Sequence, residues 1–368
     1  MKTYHIGKLG TAEGIALVFG LTVPRLFLTA LAEIVGAYGQ ILWLSMFIYT
    51  IIPLLALFMM IYVRKSVSGD IFTVCQQLVG KIGAWFIMVT YIGMFFANSA
   101  LILRQFAEYT LITALPRVDF QLVIIWYAIT AGILCYLGIE ALCRTGYIMI
   151  PFLIIGIIVV FILVSPFYVV YNLAPWQGNG IMLAIQTGIR DVGFNLGLLS
   201  LAFLSSAFQN TKTVKAAAIY ALGSVLALRI VFLFSYIMVF GVNAGGEKAM
   251  PFFEMTRLVY LNSYIQHIES LFIVAWVIFG ILAIAGSLYI GLYLIVVLLK
   301  LPALRPIVVL GVSIVALIAM LPPDIAYTIK VDKLLITFAA VGIYIFPGIL
   351  FLMALVKRKR RKKTCTSS

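Results

Sequence analysis

The sequence predicts an all-α polytopic membrane protein with ten transmembrane helices, arranged as a 5+5 inverted repeat in which helices 1 and 6 are broken. Of its 368 residues, 64% are hydrophobic and 10% are charged, which is too apolar for a soluble protein of this length. Apolar runs of about 20 residues recur along the chain, and a helix needs that length to cross the hydrocarbon core of a bilayer. Two of these runs carry helix-breaking residues at matching places in the two halves, which is typical of membrane folds built from inverted repeats.

Ten apolar segments fit the hydropathy pattern, and no separate soluble domain fits between them. The predicted spans cover residues 14–36, 42–63, 83–113, 120–139, 146–166, 182–207, 216–241, 268–299, 306–322 and 334–356. We therefore expect a single transmembrane domain over residues 1–363, with a first repeat at 14–166 and a second repeat at 182–356. Residues 357–368 are expected to form a basic cytoplasmic tail.

The Lys and Arg residues outside the spans predict the orientation of the chain. Seven of the 26 lie in one run, Lys357 to Lys363, directly after the last span, and most of the others fall on the same side of the membrane as this run. Because cytoplasmic segments are enriched in Lys and Arg, both termini are expected in the cytoplasm. Topology and anionic lipid explain such a cluster, so the formal net charge of +14 indicates membrane lipid and not nucleic acid as the partner.

Metal, cofactor and enzyme chemistry are not indicated. The four Cys residues show no CxxC or CxxH spacing, and His5 and His267 are the two histidines of the chain, which leaves few candidates for a metal site or a general base. No combination of acid, base, nucleophile and metal is visible. The sequence thus predicts no cofactor, no catalytic residue and no enzymatic activity.

The stretch VFGLTVPR, from Val18 to Arg25, lies in the middle of the first span and cannot continue as an unbroken helix. Pro24 has no N–H to donate and its ring clashes with the carbonyl of Gly20, while Val23 is pushed away from helical dihedral angles. Backbone groups freed at membrane depth are tolerated only where they face protein or a polar cavity. The break therefore predicts a binding site, although an ordinary proline kink would leave the same pattern.

The sixth span contains DVGFNLG, with Gly193, Asn195 and Gly197 near its middle. Glycine destabilises a helix by about 0.5 to 1 kcal/mol relative to alanine, so a second interruption is expected here. Because five spans is an odd number, a second repeat must cross the membrane inverted, and span 6 then corresponds to span 1. Close helix packing is the other explanation for these two glycines.

The two interruptions predict a ligand site at the bilayer midplane. Broken helix ends present unpaired N–H and C=O groups, which suit the carboxylate and the ammonium group of a zwitterionic amino acid. We expect few charged groups there and hence a small ligand without net charge. The candidate lining comes from spans 1, 6, 3 and 8 and consists of Gly20, Leu21, Thr22, Val23, Pro24, Gly193, Phe194, Asn195, Gly197, Asn98, Ile102, Ala275 and Phe279. A hydrogen bond between helices would explain Asn98 equally well.

Charged residues inside the predicted spans are functional candidates by default. Arg104 and Glu108 are spaced i to i+4 on one face of span 3, so they can pair as a structural clasp or as part of a gate. Arg190 and Asp191 precede the second interruption, where they either form an outer gate or mark the headgroup boundary.

Two more arginines fall within the spans. Arg25, next to Pro24, is expected in a wet crevice or paired with an acid such as Glu33. The sequence gives no decisive argument for the place of Arg229 in span 7.

Short motifs follow one another along almost the whole chain in a distinctive order. They are TVPR at 22–25, Trp43, Gly80-Lys81, Arg104, Ala107-Glu108, Pro116-Arg117, Glu269-Ser270, Trp276, LPPD at 321–324 and the Lys/Arg tail. Together they resemble the bacterial spore germination permease family, the B subunits of germinant receptors. The resemblance implies membership of the amino acid, polyamine and organocation transporter superfamily, with a LeuT-like fold of two inverted five-helix repeats. It also implies a subunit that senses a small germinant, often an amino acid, in the spore inner membrane beside A-type and C-type subunits.

The sequence departs from the family pattern near the predicted pocket. Family members often have Gly-x-Gly before the first break, whereas residues 17–20 here read LVFG. Leu199 and Ser205 stand where the family usually has a Glu and a Pro in span 6, and residues 265–267 read IQH in place of an Ile-Glu-Arg opening to span 8. These departures bear on the ligand and on activity more than on the fold.

We therefore predict a germinant-sensing, transporter-like subunit that binds a small molecule and triggers spore germination. A secondary transporter of amino acids or cations and a non-binding scaffold for receptor partners are the alternatives. A coupling cation would need a cluster of oxygen ligands, but the inner half of span 8 offers only the hydroxyl of Ser287 and span 5 contains no Lys. This favours a receptor that changes shape on binding over a concentrating pump.

Overall fold

The computed structural model describes residues 7–28, 30–67, 69–248, 250–259 and 269–366, and these residues are mostly helical. Extended pairing within them is limited to one isolated bridge between Leu9 and Phe208. Seven of the described helices are long and apolar enough to cross a membrane. The prediction of an all-α, multi-pass membrane protein is confirmed. His5, His267 and the departure at residues 265–267 lie outside the described residues.

The first half of the described chain contains α1 (Thr11–Thr22), α2 (Ala30–Tyr38), α3 (Leu42–Ser66), α4 (Ile71–Thr113), α5 (Phe120–Leu137) and α6 (Ile139–Val164). The second half contains α7 (Ile181–Arg190), α8 (Ser200–Phe203), α9 (Thr211–Gly246), α10 (Pro251–Arg257), α11 (Glu269–Leu299), α12 (Val308–Met320) and α13 (Ile325–Thr366). Two 3₁₀ segments matter for function, Pro24–Phe27 after α1 and Asp191–Leu199 between α7 and α8.

Several helix bounds differ from the predicted spans. Where spans 1, 6 and 9 are predicted, α1 has 12 residues, α7 has 10 and α12 has 13, each shorter than the roughly 20 residues that cross a bilayer. One predicted span is extended instead, because α13 continues helically to Thr366. The range of α4 begins at Ile71, but Gly80 departs from helical geometry with φ 80° and ψ 175°, so the helix that follows this break begins close to the predicted start at residue 83. The count of ten transmembrane helices stays a prediction.

Side-chain caps fix the starts of two long helices. The carboxylate of Asp70 accepts a hydrogen bond from the backbone N–H of Thr73 at 2.7 Å at the start of α4. The side chain of Asn210 does the same for the N–H of Thr213 at 2.8 Å at the start of α9. Such caps satisfy N–H groups that have no partner within the helix.

The centre of the bundle is formed by α4 and α11, which pack along each other. Of the most apolar 18-residue stretch of α11, 83% is buried within the protein, compared with 22% for the corresponding stretch of α6. The ring of Trp276 on α11 stacks on Phe106 of α4 with centroids 4.4 Å apart. In contrast, Phe152 of α6 is 66% exposed. In a membrane protein such an apolar outer face is directed towards lipid, so α6 is peripheral and α11 is central.

The segment before α1 closes one end of the bundle. The backbone N–H of Lys8 donates to Glu140 at 2.8 Å, and the N–H of Leu9 donates to the carbonyl of Ala207 at 2.9 Å. The Leu9 side chain is fully buried. This contact joins the start of α6 to the end of the α7–α8 segment, so the bundle is sealed at this end.

Candidate functional site

The first interruption lies directly after α1. The α-helix ends at Thr22, and Pro24 begins a 3₁₀ turn that runs to Phe27. Since Pro24 has no N–H, the carbonyl of Gly20 lacks its α-helical donor. At Leu28 the backbone is extended, with φ −90° and ψ 164°, before α2 begins at Ala30. The chain therefore crosses the middle of the bundle without a continuous α-helical ladder.

The second interruption is a nine-residue 3₁₀ segment, Asp191–Leu199, between α7 and α8. Asn195 departs from helical geometry within it, with φ −106° and ψ 24°. Its side-chain amide donates to the backbone carbonyl of Tyr49 on α3 at 2.7 Å. Runs of 3₁₀ helix longer than about 3–4 residues are uncommon and often mark a functional hinge. This segment is therefore the best candidate for a moving part of the molecule.

Two glycines allow the 3₁₀ segment to approach its neighbours closely. A Cβ atom on Gly193 would collide with the backbone carbonyl of Ile336 on α13, and one on Gly197 would lie 2.5 Å from the Cβ of Leu21. Real Cβ atoms do not approach other atoms so closely. Both glycines thus serve close packing, and there is no free space between Gly197 and Leu21.

A small cavity lies beside the two interruptions, on the side that faces α3 and α9. Its volume is about 20 Å³, which is room for roughly one water molecule. The lining consists of Arg25, Leu26, Ile34, Leu42, Met46, Tyr49, Phe194 and Arg229. An amino acid does not fit into this volume, so a ligand of that size requires the lining to move.

Arg25 is held by a buried polar network that joins four helical segments. Its guanidinium donates to both carboxylate oxygens of Asp332 on α13 at 2.7 and 2.9 Å, and to Asn98 Oδ1 on α4 at 2.6 Å. The amide of Asn98 in turn donates to the hydroxyl of Ser287 on α11 at 2.7 Å. The sequence predicted either a wet crevice for Arg25 or an acid partner such as Glu33, and among the described side chains the acid partner is Asp332. The side chain of Glu33 lies outside the described residues.

Arg229 on α9 is the second buried cation of the cavity. Its side chain is 3% exposed, and one guanidinium nitrogen donates to Asn195 Oδ1 at 3.1 Å. The guanidinium also lies over the ring of Tyr49, 5.2 Å from its centroid. Among the described residues, no carboxylate forms an ion pair with Arg229.

A larger vestibule of about 450 Å³ lies at the end of the bundle opposite the buried Leu9. Its wall includes Tyr38, Arg190, Asp191, Phe194, Lys330 and Lys333. Arg190 forms an ion pair with Asp191 at 2.9 Å and donates to the hydroxyl of Tyr38 at 3.0 Å. Ile34 and the half-buried Phe194 line both the vestibule and the small cavity, so the two spaces lie next to each other at these side chains.

Of the predicted ligand-binding residues, Phe194 is the one that lines the small cavity. Asn98 and Asn195 contact its two arginines. The others lie in the surrounding protein: Gly20, Leu21, Thr22, Val23, Pro24, Gly193 and Gly197 are buried at the interruptions, and Ile102, Ala275 and Phe279 belong to α4 and α11. The ring of Phe279 packs on Phe19 at 5.9 Å. Their role in ligand binding stays a prediction.

Arg104 and Glu108 are placed apart from the cavity. They form a buried ion pair within α4, and the guanidinium of Arg104 lies 4.2 Å from the ring centroid of Phe120 on α5. Arg104 also reaches the backbone carbonyl of Ala319 on α12 at 3.5 Å. These contacts join α4 to α5 and α12 and are those of a structural clasp. By contrast, Arg190 and Asp191 lie on the wall of the vestibule.

Sequence reasoning missed the α3 wall of the cavity, which Leu42, Met46 and Tyr49 provide. Their i, i+4, i+7 spacing places them on one helix face, a pattern that could have identified a common surface but not its partner. It also missed Asp332, which lies between Lys330 and Lys333, just outside the predicted span 334–356. Among the described residues, no group of His, Cys, Asp and Glu could hold a metal ion.

Comparisons with known proteins agree with this geometry at the level of family and fold. Residues 8–328 match the family described as spore germination protein. A sodium-coupled sialic acid symporter, solved in a substrate-bound outward-open state, is similar with a TM-score of 0.67 and 14% identity over 92% of this chain and 80% of that one. MhsT in complex with L-phenylalanine is similar with a TM-score of 0.67 and 11% identity over 95% of this chain and 96% of that one. Both similarities concern the fold alone, which is that of LeuT-fold transporters. Curated protein sequences give no significant match.

Proposed function

The chain belongs to the spore germination protein family, and from this premise we propose that it is the ligand-sensing B-type subunit of a germinant receptor. It is a transporter-like germination protein with many membrane-crossing helices. In the proposed role it binds a small molecule, an amino acid by preference, between its two interrupted helical segments. Binding changes the conformation of the subunit and so triggers germination.

The observation that carries this proposal is the shared position of Phe194. Phe194 lines both the vestibule of about 450 Å³ and the cavity of about 20 Å³ beside Arg25 and Arg229, and it shares this position with Ile34. Ligand sites are concave, largely preformed spaces with a few convergent polar groups. A vestibule large enough for an amino acid thus lies next to a smaller cavity with polar side chains. This is the arrangement of an entry path that leads to a ligand site.

The small size of the inner cavity suggests how binding is converted into a signal. Because an amino acid cannot enter while Phe194 and its segment stay in place, binding must select a conformation in which the Asp191–Leu199 segment has moved. A ligand shifts a conformational equilibrium only by its differential affinity for the two states. The long 3₁₀ segment fits this role, since it contacts α1, α3 and α13 and can pass its displacement to all three.

An amino acid is the preferred ligand class for two reasons. The interruptions break the α-helical ladder, which leaves the carbonyl of Gly20 without its usual donor, and freed backbone C=O and N–H groups suit an ammonium group and a carboxylate. In addition, one of the solved proteins with this fold is described in complex with L-phenylalanine. We include the predicted residues of α4 and α11 in the expanded site, as the wall that the ligand reaches after the segment moves.

The proposed topology has ten spans in two inverted repeats, at residues 14–166 and 182–356, within one transmembrane domain. Both termini and the basic tail lie in the cytoplasm of the spore inner membrane. The vestibule then opens to the outer side, and the contact of Leu9 closes the inner side. A-type and C-type receptor subunits and membrane lipid are the proposed partners.

Binding of radiolabelled L-amino acids to the purified protein in lipid nanodiscs tests the proposal. At least one amino acid should bind, and Met46→Phe, which fills the inner cavity, should lose that binding. Met353→Phe makes the same change at a residue of α13 that is 43% exposed and should bind as the unmodified protein does. Absence of binding across the panel, or undiminished binding by Met46→Phe, would contradict the proposal.

A working secondary transporter is the second candidate function. It is favoured by the similarity in fold to a sodium-coupled symporter and to a protein solved with L-phenylalanine. Reconstitution into proteoliposomes separates the two functions. A receptor should bind its ligand without accumulating it, whereas uphill accumulation of the same amino acid would establish transport. A non-binding scaffold would neither bind nor accumulate the amino acid. In that case, filling the inner cavity should have no effect, and spores that carry Met46→Phe should germinate normally.

A further inference from the structure

The described carboxylates balance only one of the two positive charges of the inner cavity. Arg25 and Arg229 both line it, and Asp332 neutralises Arg25 through two hydrogen bonds. Arg229 has an amide and an aromatic ring as its neighbours, and no carboxylate of a described residue pairs with it. A charge buried among membrane helices without a counter-ion is strongly unfavourable. Among the described side chains, which do not include that of Glu33, the cavity therefore carries one positive charge without a counter-ion.

The neighbours of Arg229 hold its guanidinium in a fixed position. The amide nitrogen of Asn195 donates to the carbonyl of Tyr49 at 2.7 Å, which directs Oδ1 of the same amide to Arg229 at 3.1 Å. The guanidinium group has five N–H donors, so the bond to Asn195 leaves others for a further acceptor. A planar, preorganised donor of this kind recognises oxyanions and small anions well.

We propose that Arg229 and the cavity beside it form an anion subsite. This inference rests on the proposed function and names the chemistry that the site recognises: a small monoanionic group, supplied by the carboxylate of the bound ligand or by a free halide ion. A volume of about 20 Å³ accepts one water-sized group, so a halide fits directly and a carboxylate fits once Phe194 moves. The anion supplies the counter-charge that no described carboxylate provides for Arg229.

The carboxylate source is tested by comparing L-amino acids with their carboxamides on the unmodified protein. If Arg229 binds the ligand carboxylate, the amide should bind about 10- to 100-fold more weakly, which is the usual contribution of a hydrogen bond to a charged group. Arg229→Gln should weaken binding of the acid by the same factor and should not change binding of the amide. Arg144→Gln, at a side chain that is 68% exposed, is the matched control and should leave both unchanged.

The halide source is tested by thermal unfolding of the purified protein in sodium chloride and in sodium gluconate at equal ionic strength, without amino acid. Gluconate is too large for the cavity, so chloride alone should raise the unfolding temperature, and Arg229→Gln should abolish this difference. Asn195→Asp places a permanent carboxylate where Oδ1 lies 3.1 Å from Arg229, and it should also abolish the chloride effect by supplying the counter-charge internally.

The outcomes separate this inference from the proposed function. Amino acid binding that does not distinguish acid from amide, with no chloride effect, overturns the anion subsite and leaves the receptor proposal standing. Absence of amino acid binding together with a chloride effect that needs Arg229 supports the anion subsite and overturns the amino acid ligand. If Arg229→Gln still binds the acid more tightly than the amide, or is still stabilised by chloride, the assignment to Arg229 is overturned. If Arg229→Gln does not fold, the comparison of acid and amide on the unmodified protein still tests the anion subsite.

Discussion

The guanidinium of Arg25 and the carboxylate of Asp332, 307 residues apart in the sequence, form a doubly hydrogen-bonded ion pair at 2.7 and 2.9 Å. Both side chains are almost completely buried. The pair connects the 3₁₀ turn after α1 to α13, and Asn98 and Ser287 extend it to α4 and α11. It therefore fixes the interrupted part of the first helical segment against the rest of the bundle.

Breaking this pair on one side should be strongly destabilising. Asp332→Asn leaves the charge of Arg25 buried without its counter-ion, and removal of one partner from a buried pair costs about 3–5 kcal/mol. We expect a large fall in the unfolding temperature of the detergent-solubilised protein. It is measured by heating samples and following the loss of the native peak in size-exclusion chromatography. Arg25→Met should have a comparable effect, because it leaves the carboxylate of Asp332 buried without its counter-ion.

Two controls keep this prediction specific. The double variant Arg25→Met/Asp332→Leu removes both charges and should be more stable than either single variant, since apolar replacement of a complete buried pair is often nearly neutral. Arg144→Met breaks the pair with Glu140, whose side chains are 68% and 40% exposed, and should have little effect. Equal losses in the double and single variants would show that the pair is not the source of the stability.

Phe194 should control access from the vestibule to the inner cavity. Met46→Cys places a thiol on the cavity wall, behind the ring of Phe194. In a background without the four native cysteines, we expect this thiol to react slowly with a small membrane-impermeant reagent. Truncation of the ring by Phe194→Ala should make the reaction faster, because the barrier between the two spaces is then gone.

A cysteine in the vestibule provides the comparison for this experiment. Thr337 lines the vestibule and is exposed, but it does not line the inner cavity. Thr337→Cys should therefore react at the same rate whether the protein retains Phe194 or carries Phe194→Ala. If Met46→Cys reacts equally fast whether or not the ring is present, Phe194 is not the barrier.

The sequence was sufficient to predict the membrane class, the helical fold and the family, because these depend on properties that repeat along the chain. Apolar runs of bilayer length identify helices wherever they occur, and the start of α5 at Phe120 and of α3 at Leu42 follows directly from them. The family could be identified because its motifs are ordered along the sequence and require no knowledge of contacts.

The site was less predictable, because its geometry depends on how helices are rotated and paired. Hydropathy places Arg25 and Asp332 at membrane edges or interruptions but contains no information that would pair residues 307 positions apart. Likewise, the break at Pro24 indicates where backbone groups are freed but not which neighbour faces them. The cavity faces Tyr49 and Arg229 on α3 and α9, whereas the predicted lining was taken from the two interruptions and from α4 and α11.

The last prediction concerns the glycines of the 3₁₀ segment, which the sequence explained either as a helix interruption or as close packing. A Cβ on Gly193 would collide with the backbone carbonyl of Ile336, which cannot rotate away as a side chain could. Gly193→Ala should therefore lower the free energy of unfolding by about 1–3 kcal/mol, the usual effect of overpacking. Gly197→Ala should also be destabilising, because the nearest atom, at 2.5 Å, is the Cβ of Leu21, which is fixed to the backbone and cannot rotate away. Gly156→Ala, where an added Cβ meets nothing within 4 Å, should be neutral or slightly stabilising. Equal stability of Gly193→Ala and Gly156→Ala in thermal unfolding would contradict the packing role. The glycines of the 3₁₀ segment would then be explained by their conformational freedom alone.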